Sequence, residues 1–292
     1  MYFSLQMNNT SLISTIRSLS KDDLKSFDDF VRSPYFNKKS AVLRLWEVIY
    51  SRAPVFKDDD LKRENLYSEI FPGKDFNYGT MKNIIYELTK LSEKFLEMEF
   101  YKRDNYFNYY YELGGLLSKG QMKQYASRCA EIEKDLSGSE DFDGENYDKL
   151  FNLKWFKLEY IYSSLTKDDS KKEVYLISKY LIYDFIVKLV KSYINIKGIE
   201  LEYNYVEENS DIDKFFSYMD IEGFIGELRE NSSQDYKVLS VYYRLYKSVS
   251  HPKDLSQYFE LKKSLQDNEG LFSTDEKRIL FSGLRIALIF VA

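Results

Sequence analysis

The sequence predicts an all-α protein, built as a small N-terminal helical module followed by stacked helical hairpins. Three observations predict it. Only 4 Pro and 12 Gly punctuate 292 residues, too few breakers for an architecture that turns tightly at every strand. Apolar residues recur at helical spacing in segment after segment. A hydrophobic fraction of 44% beside 30% charged residues is the composition of a chain that buries a core, not of a disordered one.

The first element opens at Ser20-Lys21-Asp22-Asp23, where Ser20 is placed to cap a helix and Asp23 to reach back as in a capping box. Leu24, Phe27, Phe30 and Val31 form its apolar face, and Pro34 within Ser33-Pro34-Tyr35-Phe36-Asn37 ends it at a corner. Val42, Leu45, Trp46 and Ile49 then share one helical stripe that stops at Ala53-Pro54. A shorter helix carries Leu61, Leu66, Tyr67 and Ile70 up to Phe71-Pro72-Gly73. From Thr80 the stripe Met81, Ile84, Ile85, Leu88, Leu91, Phe95, Met98 predicts a long, regular helix.

Past Arg103 the pattern changes from short helices to longer ones, which sets the expected boundary between a 1–103 module and a 104–292 helical-hairpin domain. Helices are expected at Tyr106 to Leu117 and Met122 to Leu136 across Gly120, then at Tyr147 to Leu165, with loops at Ser137 to Gly144 and Thr166 to Ser170. The stripe Val174, Ile177, Leu181, Ile186, Leu189, Tyr193, Ile196 continues as one helix with a bend expected near Gly198. Further helices follow at Ile212 to Met219, Ile221 to Leu228, Tyr236 to Val249, Leu255 to Leu265 and from Thr274 onward. The starts at Tyr236 and Thr274 lie about 38 residues apart, close to the tetratricopeptide period. The W-x-x-L-G-x-x-Y signature is missing, so the expected α-solenoid is a degenerate, tetratricopeptide-like one. The apolar ending Ile289-Phe290-Val291-Ala292 lacks the polar outer face of a terminal repeat, so the native chain is expected to continue or a partner to cover this end.

The run Phe27-Asp28-Asp29-Phe30-Val31-Arg32-Ser33-Pro34-Tyr35-Phe36-Asn37, with Leu66-Tyr67, Ile70-Phe71-Pro72-Gly73 and Phe76-Asn77 after it, resembles a group of bacterial helical proteins of uncharacterised activity. The resemblance covers roughly the first hundred residues. It implies a small N-terminal helical module joined to tetratricopeptide-like helices, and implies nothing about catalysis.

Composition narrows the chemistry. A net charge of −5 and a pI near 5.3 disfavour nucleic acid as a global partner and leave only local binding open. No apolar run is long enough to cross a bilayer, and the start of the chain has no signal-peptide pattern, so a cytoplasmic protein is expected. The 27 Tyr and 21 Phe are read as core packing ahead of stacking platforms. Cys129 falls on the apolar stripe Met122, Tyr125, Ala126, Cys129 and is expected to be a buried small hydrophobe. His251, the single histidine, sits in a Ser250-His251-Pro252 loop and is expected to be solvated. One Cys and one His exclude the usual zinc sites. The acidic loop Ser139 to Gly144 fails as a calcium loop, because Leu150 stands where the bidentate Glu belongs. No phosphate-cradling glycine motif occurs, Asp58-Asp59-Asp60 reads as charge before a helix, and no cofactor or metal is expected.

The expected function is that of a non-catalytic scaffold or adaptor for an unknown protein or peptide, since stacked helices offer extended surfaces. The candidate contact residues are Tyr106, Tyr109, Tyr110, Tyr242, Tyr243 and Tyr246, although their helical spacing also fits packing between hairpins. The alternative is nucleic-acid binding or regulation by the N-terminal module, with Arg32, Lys38, Lys39 and Arg44 as phosphate contacts. An enzyme using carboxylates and Tyr stays open as a third reading.

Overall fold

A computed structural model describes residues 7, 10–53, 61–103, 105–137, 144–164, 168–204, 210–230, 234–251 and 253–291. Its regular elements among the described residues are fourteen α-helices and one short 3-10 helix (Glu269–Leu271), so the chain is all-α. It divides into two compact units, Met1–Asn108 and Tyr109–Ala292.

The first unit holds α1 (Ser11–Ser18), α2 (Lys21–Arg32), α3 (Ser40–Tyr50), α4 (Arg63–Ile70) and α5 (Tyr78–Arg103). Ser20 caps α2 and Asp23 returns a bond to the Ser20 backbone, which satisfies two orphan N–H groups at once. The corner after α2 explains the Phe-rich motif. The backbone N–H groups of Phe36 and Asn37 both donate to Ser33 O, Asn37 Nδ2 donates to Val31 O at 3.0 Å, and Phe36 stacks on Phe30 at 4.0 Å. The corner is thus tied back onto the helix it ends. Behind it Phe27 and Val31 enter a core with Leu45, Trp46, Ile49, Leu88 and Phe95. Asn77 Oδ1 accepts from the Thr80 N–H to start α5, whose buried stripe packs against α1, α2 and α3.

The second unit contains most of α6 (Asn105–Ser118), then α7 (Met122–Ser137), α8 (Glu145–Ser164), α9 (Asp168–Tyr203), α10 (Asp211–Tyr218), α11 (Ile221–Glu230), α12 (Gln234–Ser250), α13 (Leu255–Asn268) and α14 (Thr274–Val291). Between α6 and α7 the Gln121 N–H donates to Leu116 O and the Gly120 N–H to Leu117 O, with Gly120 at φ +66°. This is the Schellman arrangement, which needs a residue comfortable in the left-handed region. A small cluster of Leu113, Tyr125, Cys129, Ile132 and Leu153 joins α6, α7 and α8. A larger one is built on α9 and α12, with Tyr147 of α8 and residues of α10, α11, α13 and α14 around them.

α9 continues without a break through Gly198, as one helix of 36 residues to Tyr203. A Cβ on Gly198 would stand 3.2 Å from Ile286 Cδ1, so the residue serves close packing of α9 against α14. The expected break at Thr166 to Ser170 is also shorter than predicted, since α9 has begun at Asp168. The loop at Ser137 to Gly144, with its calcium-like residues Ser139 to Asp143, and the run Asp58-Asp59-Asp60 lie outside the described residues apart from Ser137 and Gly144. Among the described residues no helix is long and apolar enough to cross a membrane.

Candidate functional site

Most of the tyrosines selected by spacing are used in packing. Tyr242 is fully buried, so it is a core residue and not a contact residue of the folded chain. Tyr246 stacks on Phe216 at 3.9 Å with the rings nearly parallel, and the Tyr243 hydroxyl donates to Glu222 at 2.7 Å. Around the other group, the Arg128 guanidinium lies over the Tyr109 ring at 4.8 Å while bonding Glu112 and Glu131. Tyr110 is exposed, edge-on to Tyr111 and Phe156. The Tyr106 side chain lies outside what is described.

The basic residues selected for phosphate contact are mostly paired. Arg32 binds Asp28 and Glu47, and these hydrogen bonds hold its pKa above the usual value. Lys39 meets Glu87 at 2.7 Å, and Arg44 donates to Ile70 O at 3.3 Å. Lys38 is exposed. His251 is exposed too, with Nδ1 at 2.8 Å from Ser250 Oγ. Cys129 is 3% exposed, and burial pushes its thiol up to about 11, which makes a nucleophilic role unfavourable. Among the described residues no group of three His, Cys, Asp or Glu converges as metal ligands would.

Two features stand out that spacing alone did not select. The first is a charged cluster where α7, α8 and α9 meet. Lys154 donates to Glu133 Oε1, and Lys157 donates to Glu133 Oε2 at 2.6 Å. Glu173 of α9 stands 3.3 Å from both lysine ammonium groups. Lys154 and Glu173 are buried, at 4% and 7% exposure. The four charges alternate in sign and cancel, which is the condition for keeping them out of water. Burial pulls the Glu133 carboxyl upward, but the hydrogen bonds from Lys154 and Lys157 outweigh it and hold the group below its ordinary value. Beside the cluster opens a cleft of about 360 Å³, whose lining includes Cys129 of α7, Lys157, Tyr160 and Ile161 of α8, and Glu173 of α9.

The second feature is apolar. Lys188 reaches Asp148 while Lys154 reaches Glu173, so late residues of α9 meet early residues of α8 and the two helices run antiparallel. On α8, Trp155 and Tyr162 are exposed; on α9, Val174, Leu181 and Phe185 are exposed. Spacings of seven and eleven residues put each set on one helical stripe. Trp155 is turned roughly 160–200° around α8 from Leu153 and Lys157, and Leu181 roughly 180–200° around α9 from Val190 and Tyr183, at the helical advance of about 100° per residue.

No protein-family model matches the chain, and no match was found among curated proteins or solved structures.

Proposed function

We propose that the chain is a non-catalytic protein-protein interaction scaffold of the cytoplasm, and that its second unit is a degenerate tetratricopeptide-like stack of helical hairpins. The observation that carries this reading is the pair of exposed stripes on α8 and α9, Trp155 and Tyr162 beside Val174, Leu181 and Phe185. On this reading the two stripes form one surface on the side of the hairpin turned away from the core. A chain gains nothing from leaving Trp, Tyr, Phe and Leu side chains in water together, whereas an interface does, because such residues carry much of the binding free energy where proteins meet. The partner that suits them is an amphipathic helix laid along the α8–α9 hairpin with Leu, Ile or Met on its apolar face.

The test is affinity purification of the tagged chain from its native cells at near-physiological salt, with and without nuclease, beside the variant Trp155→Glu/Leu181→Glu. A stoichiometric protein partner that survives nuclease and is lost from the variant, with the helical content of the variant unchanged, supports the proposal. Recovery of nucleic acid, or of proteins that vanish on nuclease treatment, overturns it in favour of a nucleic-acid reader. Equal recovery by the variant removes this face as the docking site.

A further inference from the structure

We propose that the outward face of α5 is a self-recognition surface, through which a second copy of this chain packs antiparallel about a two-fold axis. Tyr86, Lys90, Glu93, Glu97 and Phe100 follow one another at spacings of four, three, four and three residues. At the helical advance of about 100° per residue they fall within an arc of roughly 80°. The arc lies opposite Leu88 and Phe95, which α5 buries in the core of the first unit. All five are exposed, Tyr86 by 58% and Phe100 by 72%. Two large rings left in water on one stripe mark a contact surface for another molecule.

The order of charges between the rings says which molecule fits. Lys90, Glu93, Lys94 and Glu97 alternate in sign along α5. A two-fold axis midway between Glu93 and Lys94 sets Lys90 against Glu97 of the copy and Glu93 against Lys94 of the copy, so every charge in the band meets its opposite. The same axis brings Tyr86 to within one residue of Phe100 of the copy, ring against ring at both ends. Parallel pairing in register sets each charge against its like and is disfavoured. Within one chain these groups hold only exposed pairs, Lys90 with Glu93 and Lys94 with Glu97, which are worth little in water. Their carboxylates keep the capacity to accept further bonds from the copy. A contact of this kind uses the same patch on both molecules, which closes the assembly at a dimer. It lies on the first unit and does not rest on the scaffold reading of α8 and α9.

Sedimentation equilibrium of the full chain, 34.8 kDa as a monomer, tests this at low salt. One helix face per protomer lies at the small end of specific interfaces, so a monomer–dimer equilibrium with a dissociation constant of roughly 10–100 µM is expected. High salt should weaken it, and Phe100→Ser should weaken it by about fivefold or more with circular dichroism unchanged. The decisive variants reverse charge. Lys90→Glu/Lys94→Glu makes the band wholly acidic, and Glu93→Lys/Glu97→Lys makes it wholly basic. Each alone should be monomeric with its helical content unchanged, and an equimolar mixture should restore the dimer. A monomer mass at every concentration up to about 500 µM, a dimer retained by either charge variant alone, or no dimer in their mixture overturns the proposal. So does loss of the dimer in Trp155→Glu/Leu181→Glu, because that variant leaves α5 untouched.

Discussion

Replacing Glu133 by Gln keeps the size of the side chain and removes one charge from the cluster between α7, α8 and α9. Lys154, whose side chain is 5% exposed, then retains only Glu173 at 3.3 Å, and the group changes from neutral to a net positive charge. Removing one partner of a buried pair costs about 3–5 kcal/mol. The Glu133 and Lys157 side chains keep 30% and 26% of their exposure, so water compensates in part and about 2–3 kcal/mol is expected here. The double variant Glu133→Leu/Lys154→Met leaves Lys157 paired with Glu173 and should lie within about 1 kcal/mol of the parent, since an apolar pair carries no desolvation cost. Urea unfolding reads both, followed by far-ultraviolet circular dichroism. For a slope of about 2–3 kcal/mol/M the single variant should lose roughly 1 M in midpoint. The pH dependence has a definite sign. The hydrogen bonds from Lys154 and Lys157 hold the Glu133 carboxyl below its ordinary value in the folded chain, so its contribution is present above that ordinary value and lost as pH falls through the lower, folded one. Glu133→Gln should remove this part of the acid transition. Equal losses for the single and double variants, or no loss for the single one, would refute the reasoning.

Three further outcomes follow from the packing. Trp46→Ala should destabilise the first unit by about 3–5 kcal/mol, because the ring is fully buried, meets Phe27 edge-on at 4.6 Å and donates to Asp28 at 2.8 Å; thermal unfolding that leaves this unit unchanged would contradict the core assignment. Cys129 should react with a disulfide reagent near neutral pH far more slowly in the native chain than in urea, and equal rates would contradict its burial. The same substitution should act in opposite directions on the two sides of one turn. Gly115→Ala, in the interior of α6 with open space around a new Cβ, should stabilise by about 0.8–1 kcal/mol. Gly120→Ala, at φ +66°, should destabilise by about 1–2 kcal/mol, and chemical denaturation of the two variants compares them directly.

Sequence pattern carried the local level of this structure well. The stripe Val42, Leu45, Trp46, Ile49 is the buried face of α3, the Ser20 capping box forms as its spacing implied, and Gly120 sits where the α6–α7 turn needs it. These features are set by residues within a turn or two of one another. α1 was missed although Thr10 caps it and Leu12, Ile13 and Ile16 are buried, because eight residues hold too short a stripe to stand out. Tyr242 and Tyr243 are neighbours with identical local credentials, and only the packing of α12 decides that the first is enclosed and the second bonds Glu222 at the surface. The charged cluster was illegible for the same reason. Nothing within a turn of Glu133, Lys154, Lys157 or Glu173 marks any of them as buried, and what unites them is the meeting of three helices.

The 36 residues of α9 span about 54 Å without a loop to absorb a change of length. Deleting one residue near its middle would turn everything beyond by about 100°. Such a deletion at Leu189 would carry Lys191 away from Glu276, which it meets at 2.6 Å, and would swing Tyr193 off Phe216 and Tyr246. Point substitutions on the exposed stripe of α9 disturb none of these contacts. This helix should therefore hold its length, and insertions and deletions should collect in the connections between the other helices.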